Sequence, residues 1–141
     1  MSQEEKVTWF NLSVVAIACL IYSFWLLGQL GKPSTEILYA TPMLAAIGGA
    51  SVAAIIGNIA LAITAPKNMP KLDQRDLEIR QHSEFNSQFV VNIAGLVVLV
   101  MCMYKFDYFV IAHTLYYAFV ANALLGAIIK LMAYRQGFYP Q

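Results

Sequence analysis

The chain has 141 residues, of which 60% are hydrophobic and only 12% are charged, and its formal net charge at pH 7 is +1. Soluble domains carry roughly 25% charged residues, so this composition excludes an ordinary soluble domain and indicates an integral membrane protein. A net charge so close to zero also provides no electrostatic basis for direct nucleic-acid binding.

Four apolar stretches are each long enough to cross a bilayer, and they lie at residues 8–30, 37–65, 85–104 and 108–132. A hydrocarbon core about 30 Å thick needs about 20 residues at about 1.5 Å of helical rise each. Helices are expected because they satisfy their own backbone hydrogen bonds, whereas a barrel would show alternating segments of about ten residues. We therefore predict an all-α membrane protein, an up-down bundle of four transmembrane helices in a single domain over residues 1–141, with consecutive helices as antiparallel neighbours.

The distribution of basic residues predicts the orientation of the chain in the membrane. The two short connections on one side contain only Lys32 and Lys105. The other side contains the remaining basic residues, which are Lys6, Lys67, Lys71, Arg75, Arg80, Lys130 and Arg135. The positive-inside rule therefore predicts that both termini and the connection over residues 66–84 lie in the cytoplasm.

Much of the charge lies in residues 67–84, which read KNMPKLDQRDLEIRQHSE. Pro66 and Pro70 are expected to end the second helix, and Asp73 is placed to cap a new one. Because no helix-breaking residue follows before the next turn, the third helix is predicted to run from about residue 73 to 104, roughly 48 Å. Its first turns, over residues 73–84, would then extend into the cytoplasm or lie along the lipid headgroups.

This extension is the main candidate for contact with a soluble partner. Asp76 and Arg80 are spaced as a favourable i,i+4 ion pair, which also fits a solvated helix start that binds nothing. Mixed charge around a single exposed Ile favours recognition of a protein over adhesion to anionic lipid. The candidate partner-binding residues are Asp73, Arg75, Asp76, Glu78, Ile79, Arg80 and His82.

The second apolar stretch is rich in small residues, with Gly49, Ala53 and Gly57 at four-residue spacing. Such a ridge lets helix backbones approach closely. Close packing inside the bundle and a homodimer interface fit this pattern equally well, and we expect a homo-oligomer, most simply a dimer.

The candidate polar residues within the apolar stretches include three amides, Asn58, Asn92 and Asn122. Asn58 and Asn92 lie at a similar depth, about 10 Å from the cytoplasmic ends of their helices, and are predicted to hydrogen-bond to each other. A structural role and a role in a solute site remain as alternatives, because polar residues within the membrane often mark binding sites.

His113 lies one turn inside the fourth stretch, close to Tyr116 and Tyr117. An interfacial belt of polar and aromatic side chains explains this group, and ligation of a haem or a metal is the alternative. His82 and His113 belong to opposite sides of the membrane and cannot share an ion, and neither has an acidic or cysteine ligand at a suitable spacing. We therefore predict no metal and no cofactor.

No nucleophile and base pair, phosphate-binding loop or zinc motif appears, so an enzyme is not expected. Four short spans suggest the small multidrug transporters, which act as dimers, but those depend on a glutamate in the first span. No acidic residue lies in the first stretch here, and no ionisable group lies in mid-membrane.

Two segments resemble an uncharacterised family of small four-span bacterial inner-membrane proteins. Residues 73–79 read DQRDLEI, similar to the family's Asp-Glu-Arg-Asp type motif before the third helix, with Gln74 in place of an acid. Residues 111–120 read IAHTLYYAFV and residues 134–138 read YRQGF, similar to its last helix and tail. The resemblance implies a location in the bacterial inner membrane. It also implies a soluble helix-turn-helix transcription regulator as partner, because such regulators are often encoded beside family members.

The sequence therefore favours a non-enzymatic membrane protein that binds a soluble regulator through residues 67–84. A small dimeric transporter or permeability factor for an apolar or cationic solute is the first alternative. A membrane protein that binds haem or another cofactor is the second.

Overall fold

The structure of the chain is a computed structural model that describes residues 3–64 and 74–136. These residues form four α-helices, α1 (Gln3–Leu27), α2 (Ala40–Ile63), α3 (Gln74–Met103) and α4 (Tyr108–Gln136), together with a 3-10 turn at Ser34–Glu36. Each α-helix is long and apolar enough to cross a membrane. The predicted all-α bundle of four transmembrane helices is confirmed, and the chain is a multi-pass membrane protein.

The bundle has two ends that differ in their connections. We call the end that holds the starts of α1 and α3 the terminal end, and the opposite end the hairpin end. At the hairpin end Gly31 has a φ of 101°, a conformation that glycine adopts readily, and Asp107 caps α4 by accepting a 3.1 Å hydrogen bond from the Phe109 amide. At the terminal end α3 begins at Gln74 and is continuous to Met103, as predicted, while Asp73 lies outside the described residues.

The helices do not all pack on their neighbours in sequence. α2 packs against α1, α1 against α4, and α4 against α3, so α1 and α4 form the centre of the bundle. Contact between α2 and α3 is marginal at most within the described residues. The expectation that all consecutive helices are close neighbours is therefore wrong for this pair, because the long connection between them allows α3 to pack on the far side of α4.

Large apolar side chains cover the outside of the bundle. Phe24 is 80% exposed, Leu38 is 86% exposed and Phe85 is 79% exposed. A monomeric soluble protein rarely leaves so much apolar surface in water, whereas a bilayer solvates it. The interior holds a small cluster centred on Tyr22, Met43 and Tyr116.

One small residue of α2 is required by packing inside the bundle. A Cβ atom placed on Gly57 would overlap the Phe10 ring of α1. A Cβ atom placed on Gly49, by contrast, would meet no atom of the described residues within 4 Å. The small-residue ridge therefore serves internal packing at Gly57 and leaves an open face at Gly49.

Candidate functional site: a polar cavity

Polar side chains from three helices surround a cavity near the terminal end. The cavity has a volume of about 250 Å³ and lies between α1, α3 and α4. We call it the polar cavity, and its polar lining residues are Thr8, Asn11, Arg80, Ser83, Glu84, Ser87, Asn122 and Lys130.

The hydroxyl groups of the cavity wall all donate to their own helices. Thr8 donates to the Glu4 carbonyl at 2.7 Å, Ser83 to the Arg80 carbonyl at 2.9 Å, and Ser87 to the Glu84 carbonyl at 3.1 Å. The three residues are only 5%, 2% and 5% exposed. Since each hydroxyl hydrogen is engaged, these oxygens have only lone pairs left to offer.

Two amides of the cavity wall have unmet hydrogen-bonding capacity. The Oδ1 atoms of Asn11 and Asn122 are shielded from solvent and have no hydrogen-bond partner among the described residues. An unsatisfied buried acceptor costs about 1–3 kcal/mol, so these two groups oppose the stability of the bundle as it stands. Asn122 was predicted as an intramembrane polar residue, but Asn11 was missed, although an amide inside an apolar stretch is the same signal in both.

The charged groups at the cavity are neutralised in pairs. The Lys130 ammonium lies 2.8 Å from Glu4, and the two side chains are only 14% and 25% exposed. Arg80 lies 2.8 Å from Glu84 on the same helix, with both side chains more than half exposed. The Lys130 pair joins α4 to α1, and loss of one partner would leave a charge in a poorly hydrated place. Sequence reasoning missed Glu4, although it is expected at the same end of the bundle as Lys130.

The start of α3 is part of the bundle rather than a free extension. Ile79 is 1% exposed, and Asp76 accepts a 3.0 Å hydrogen bond from the Tyr134 hydroxyl of α4. The expectation of an exposed Ile79 is therefore wrong, because this face of α3 packs against α4. The predicted ion pair between Asp76 and Arg80 is also wrong, since Tyr134 engages Asp76 and Glu84 engages Arg80.

The other face of this helix start is exposed. Leu77 is 44% exposed, and Arg80, Gln81 and His82 are exposed as well. Glu78 is half-buried. Among the remaining predicted partner-binding residues, Asp73 and the side chain of Arg75 lie outside the described part of the chain.

A second polar group lies near the hairpin end and is closed by its own contacts. The Tyr22 hydroxyl lies 2.7 Å from His113 Nε2, and His113 Nδ1 lies 2.7 Å from the Phe109 carbonyl oxygen. A carbonyl only accepts, so Nδ1 carries the hydrogen and Nε2 accepts from Tyr22. Ser23 and Tyr117 share a further hydrogen bond of 2.9 Å.

The structure corrects the interpretation of His113, Tyr116 and Tyr117 as a belt at the membrane interface. His113 is 8% exposed and Tyr116 is 7% exposed, so both lie inside the bundle, while Tyr117 is 37% exposed. They were expected near the surface because only their sequence positions were known. Sequence reasoning missed Tyr22, the partner from α1, which is 2% exposed. A ligand for His113 Nε2 would first have to displace the Tyr22 hydroxyl.

The two amides expected to pair do not do so. Asn58 lies on α2 and Asn92 on α3, and no hydrogen bond joins them in the described structure. Asn58 Oδ1 is shielded and has no partner there, whereas Asn92 is exposed. A similar depth in the membrane does not bring the two amides into contact, because α2 and α3 lie on opposite sides of the α1 and α4 pair.

Two further observations concern places in the described residues where a ligand could bind. No group of three or more His, Cys, Asp or Glu side chains there is placed to hold a metal ion. An apolar groove of about 500 Å³ lies between α1 and α2, and Gly49, Ala50 and Ala53 contribute to its wall.

No family model, no curated protein and no solved structure matches this chain.

Proposed function

We propose that this chain is a non-enzymatic membrane protein that binds a small polar solute in the polar cavity, as a transporter or permeability factor. The observation that carries this proposal is the pair of unsatisfied amides, Asn11 and Asn122, in the wall of a cavity between three helices. Polar groups inside a membrane bundle are costly, and they often mark substrate or ion pathways.

The size of the cavity supports a small solute. Its volume of about 250 Å³ equals roughly eight water molecules at about 30 Å³ each. The two lining cations, Arg80 and Lys130, are each paired with a carboxylate, which is Glu84 in the wall and Glu4 outside the lining, so a solute would meet no large excess of charge of either sign. A wall in which opposite charges are paired favours recognition of the solute by hydrogen bonds.

A thermal unfolding experiment on the purified protein in nanodiscs tests the proposal. We expect at least one solute among methylammonium, urea, glycerol and acetate to raise Tm, because a ligand at 100 times its Kd stabilises the folded state by about 2.7 kcal/mol. The substitution Ala127→Leu places a larger side chain in the cavity wall and should remove this stabilisation.

The matched control is Ala45→Leu, which adds the same volume to the wall of the apolar groove between α1 and α2. This variant should keep the response of Tm to solute. A Tm that responds to none of the four solutes, or that responds equally in Ala127→Leu, contradicts the proposal.

A second candidate function is docking of a soluble partner on the exposed face of the start of α3. We propose a helix-turn-helix regulator as this partner, as the family resemblance implies. Exposed Leu77, next to the exposed polar residues Arg80, Gln81 and His82, supports the proposal, because an apolar side chain with a polar rim is typical of a protein interface. Burial of Ile79 confines this surface to one face of the helix.

Two further parts of the proposal concern location and assembly. The excess of basic residues at the terminal end supports a cytoplasmic location of that end and of both termini. The family resemblance implies that the membrane is the bacterial inner membrane. The open face of α2 at Gly49 supports a homodimer that packs through this helix.

A further inference from the structure

A second cavity near the terminal end lies between α1 and α4 and has a volume of about 350 Å³. We call it the Trp9 cavity, and its lining residues are Trp9, Leu12, Ile128, Leu131, Met132 and Arg135. We propose that this cavity binds an anionic phospholipid, with the lipid phosphate at Arg135 and part of an acyl chain between the two helices.

The wall of the Trp9 cavity is apolar apart from Arg135, and the cavity is open on its outer side. Ile128 is 44% exposed and Met132 is 50% exposed, whereas Leu131 is 6% exposed. In the membrane such an open apolar recess is in contact with lipid hydrocarbon, because the bilayer core contains no water. The wall therefore favours a ligand with a hydrocarbon chain over a small water-soluble anion.

The cavity extends along the helices from the position of the lipid headgroups toward mid-membrane. α1 begins and α4 ends at the terminal end, so Trp9 and Arg135 lie nearer that end than Leu12 and Ile128 do. Ile128 and Arg135 are about two helical turns apart, which is about 10 Å along the axis of α4. An acyl chain leaves its headgroup in this same direction.

Arg135 is placed at the outer limit of the cavity to bind a phosphate. Its guanidinium carbon lies 5.7 Å from the centre of the Trp9 ring, a cation–π contact that restricts the position of the group. Among the described residues, the guanidinium has no hydrogen bond or ion pair. Its N–H groups are therefore free to donate to phosphate, which arginine binds through two parallel hydrogen bonds.

The charges around Arg135 favour an anionic lipid over a zwitterionic one. Lys6 is exposed and lies three residues before Trp9, on the same face of α1. Glu5 is half-buried and takes part in an interaction of its own. The Lys130 ion pair adds no net charge. Lys6 and Arg135 together outweigh Glu5, which leaves an excess of positive charge at this face.

Quenching of tryptophan fluorescence by brominated lipids in nanodiscs tests the proposal. The chain has two tryptophans, so Trp25→Phe leaves only Trp9, and Trp9→Phe leaves only Trp25 at the opposite end of α1. Brominated phosphatidylglycerol and brominated phosphatidylcholine with the same acyl chains are compared at equal mole fractions. We expect phosphatidylglycerol to bind beside Trp9 about fivefold more strongly, and the two lipids to bind equally beside Trp25.

Variants in the Trp25→Phe background separate this site from a general attraction to basic residues. Arg135→Gln should remove the preference for phosphatidylglycerol, and Lys6→Gln should lower it. The matched control, Arg80→Gln, removes one positive charge at the same end but outside the Trp9 cavity, and it should retain the preference. If Arg135→Gln does not fold, Lys6→Gln provides the test in its place.

A second measurement uses the chain with both tryptophans. The Tm in detergent micelles should rise more with phosphatidylglycerol than with phosphatidylcholine, and Arg135→Gln should remove this difference. Glycerol 3-phosphate at constant ionic strength should not displace phosphatidylglycerol from Trp9, because it has no acyl chain to bind the apolar wall.

Four results would overturn the proposal. They are equal quenching of Trp9 by the two lipids, the same preference at Trp25, an equal loss of preference in Arg80→Gln and Arg135→Gln, and displacement of the lipid by glycerol 3-phosphate. The last result would assign the site to a phosphate anion alone. If Trp25→Phe does not fold, an equal rise in Tm with the two lipids overturns the proposal instead.

Discussion

Asp107 organises the hairpin end of the bundle through two hydrogen bonds. Its Oδ2 atom accepts from the Ser34 hydroxyl, in the connection between α1 and α2, and its Oδ1 atom accepts from the Phe109 amide. These bonds lower the pKa of Asp107 below its ordinary value of 3.8, with the Ser34 bond as the larger cause. One carboxylate thus both caps α4 and ties the two hairpin connections together.

The lowered pKa predicts a dependence of stability on pH. The folded state favours the ionised carboxylate, so its contribution is present above the pKa of the unfolded chain and is lost as pH falls through the lower folded pKa. Ser34→Ala should move the pKa of Asp107 back toward 3.8, which a carboxyl carbon-13 titration by NMR can measure. Thr35→Ala, at the adjacent exposed position, is the control, and an equal shift in both variants would contradict the role of the Ser34 hydroxyl.

Single polar residues inside the bundle were only partly predictable from sequence. Asn122 and His113 stand out because polar groups are rare in apolar stretches, and the structure places both inside the bundle. Their partners and neighbours were not predictable. Tyr22 lies 91 positions away from His113, and Glu4 lies 126 positions away from Lys130. Contacts over such separations depend on how the helices pack and rotate, which hydropathy along the chain does not contain.

At the scale of elements, α3 has two faces with different roles at its start. One face is buried inside the bundle, where Ile79 and Ser83 are 1% and 2% exposed. The opposite face leaves Leu77 and Gln81 exposed. A helix that is anchored on one side and exposed on the other can present a rigid surface to a partner, with little ordering cost on binding.

Site-specific photo-crosslinking tests this surface in native membranes. A photoreactive residue at Gln81 should capture a helix-turn-helix regulator, whereas the same residue at Ile56, which is 63% exposed on the apolar face of α2, should not. Leu77→Asp should reduce capture from position 81 by removing the apolar contact. The docking proposal is abandoned if both positions capture the same proteins, or if Leu77→Asp has no effect.

The extents of the elements followed closely from the sequence. The third helix was expected from about 73 to 104 and spans Gln74–Met103, because an uninterrupted run of helix-compatible residues continues from the charged segment into the apolar one. The face of that helix which is buried was not predictable. Ile79 was expected on the surface because its neighbours are charged, but it is 1% exposed in the bundle.

At the scale of the whole molecule, α1 and α4 form the centre, and α2 lies at one edge. α2 packs against α1 and leaves Gly49 open, beside an apolar groove of about 500 Å³. An edge helix with an open face of small residues can approach a second copy closely, since van der Waals packing drives helix association in membranes.

Substitutions at two glycines of α2 separate dimerisation from folding. Gly49→Leu should lower the dimer fraction in nanodiscs, measured by subunit counting, and leave the Tm of the monomer nearly unchanged. Gly57→Leu should destabilise the fold by at least about 1–3 kcal/mol, because its side chain would overlap Phe10. A protein that is monomeric throughout, or a dimer indifferent to Gly49→Leu, would disprove this interface.

The amino-acid sequence alone establishes a four-helix membrane protein, the positions of its helices and the rare polar residues that interrupt them. Those features follow from local composition and from the need to satisfy every backbone group within the bilayer. The packing of α1 and α4 together at the centre is visible only in the folded structure. Their packing brings His113 into a hydrogen bond with Tyr22, pairs Lys130 with Glu4, and places Asn11 and Asn122 in the wall of one cavity. Lipid solvates every apolar face alike, so hydropathy does not specify which faces meet, and side-chain packing between helices does.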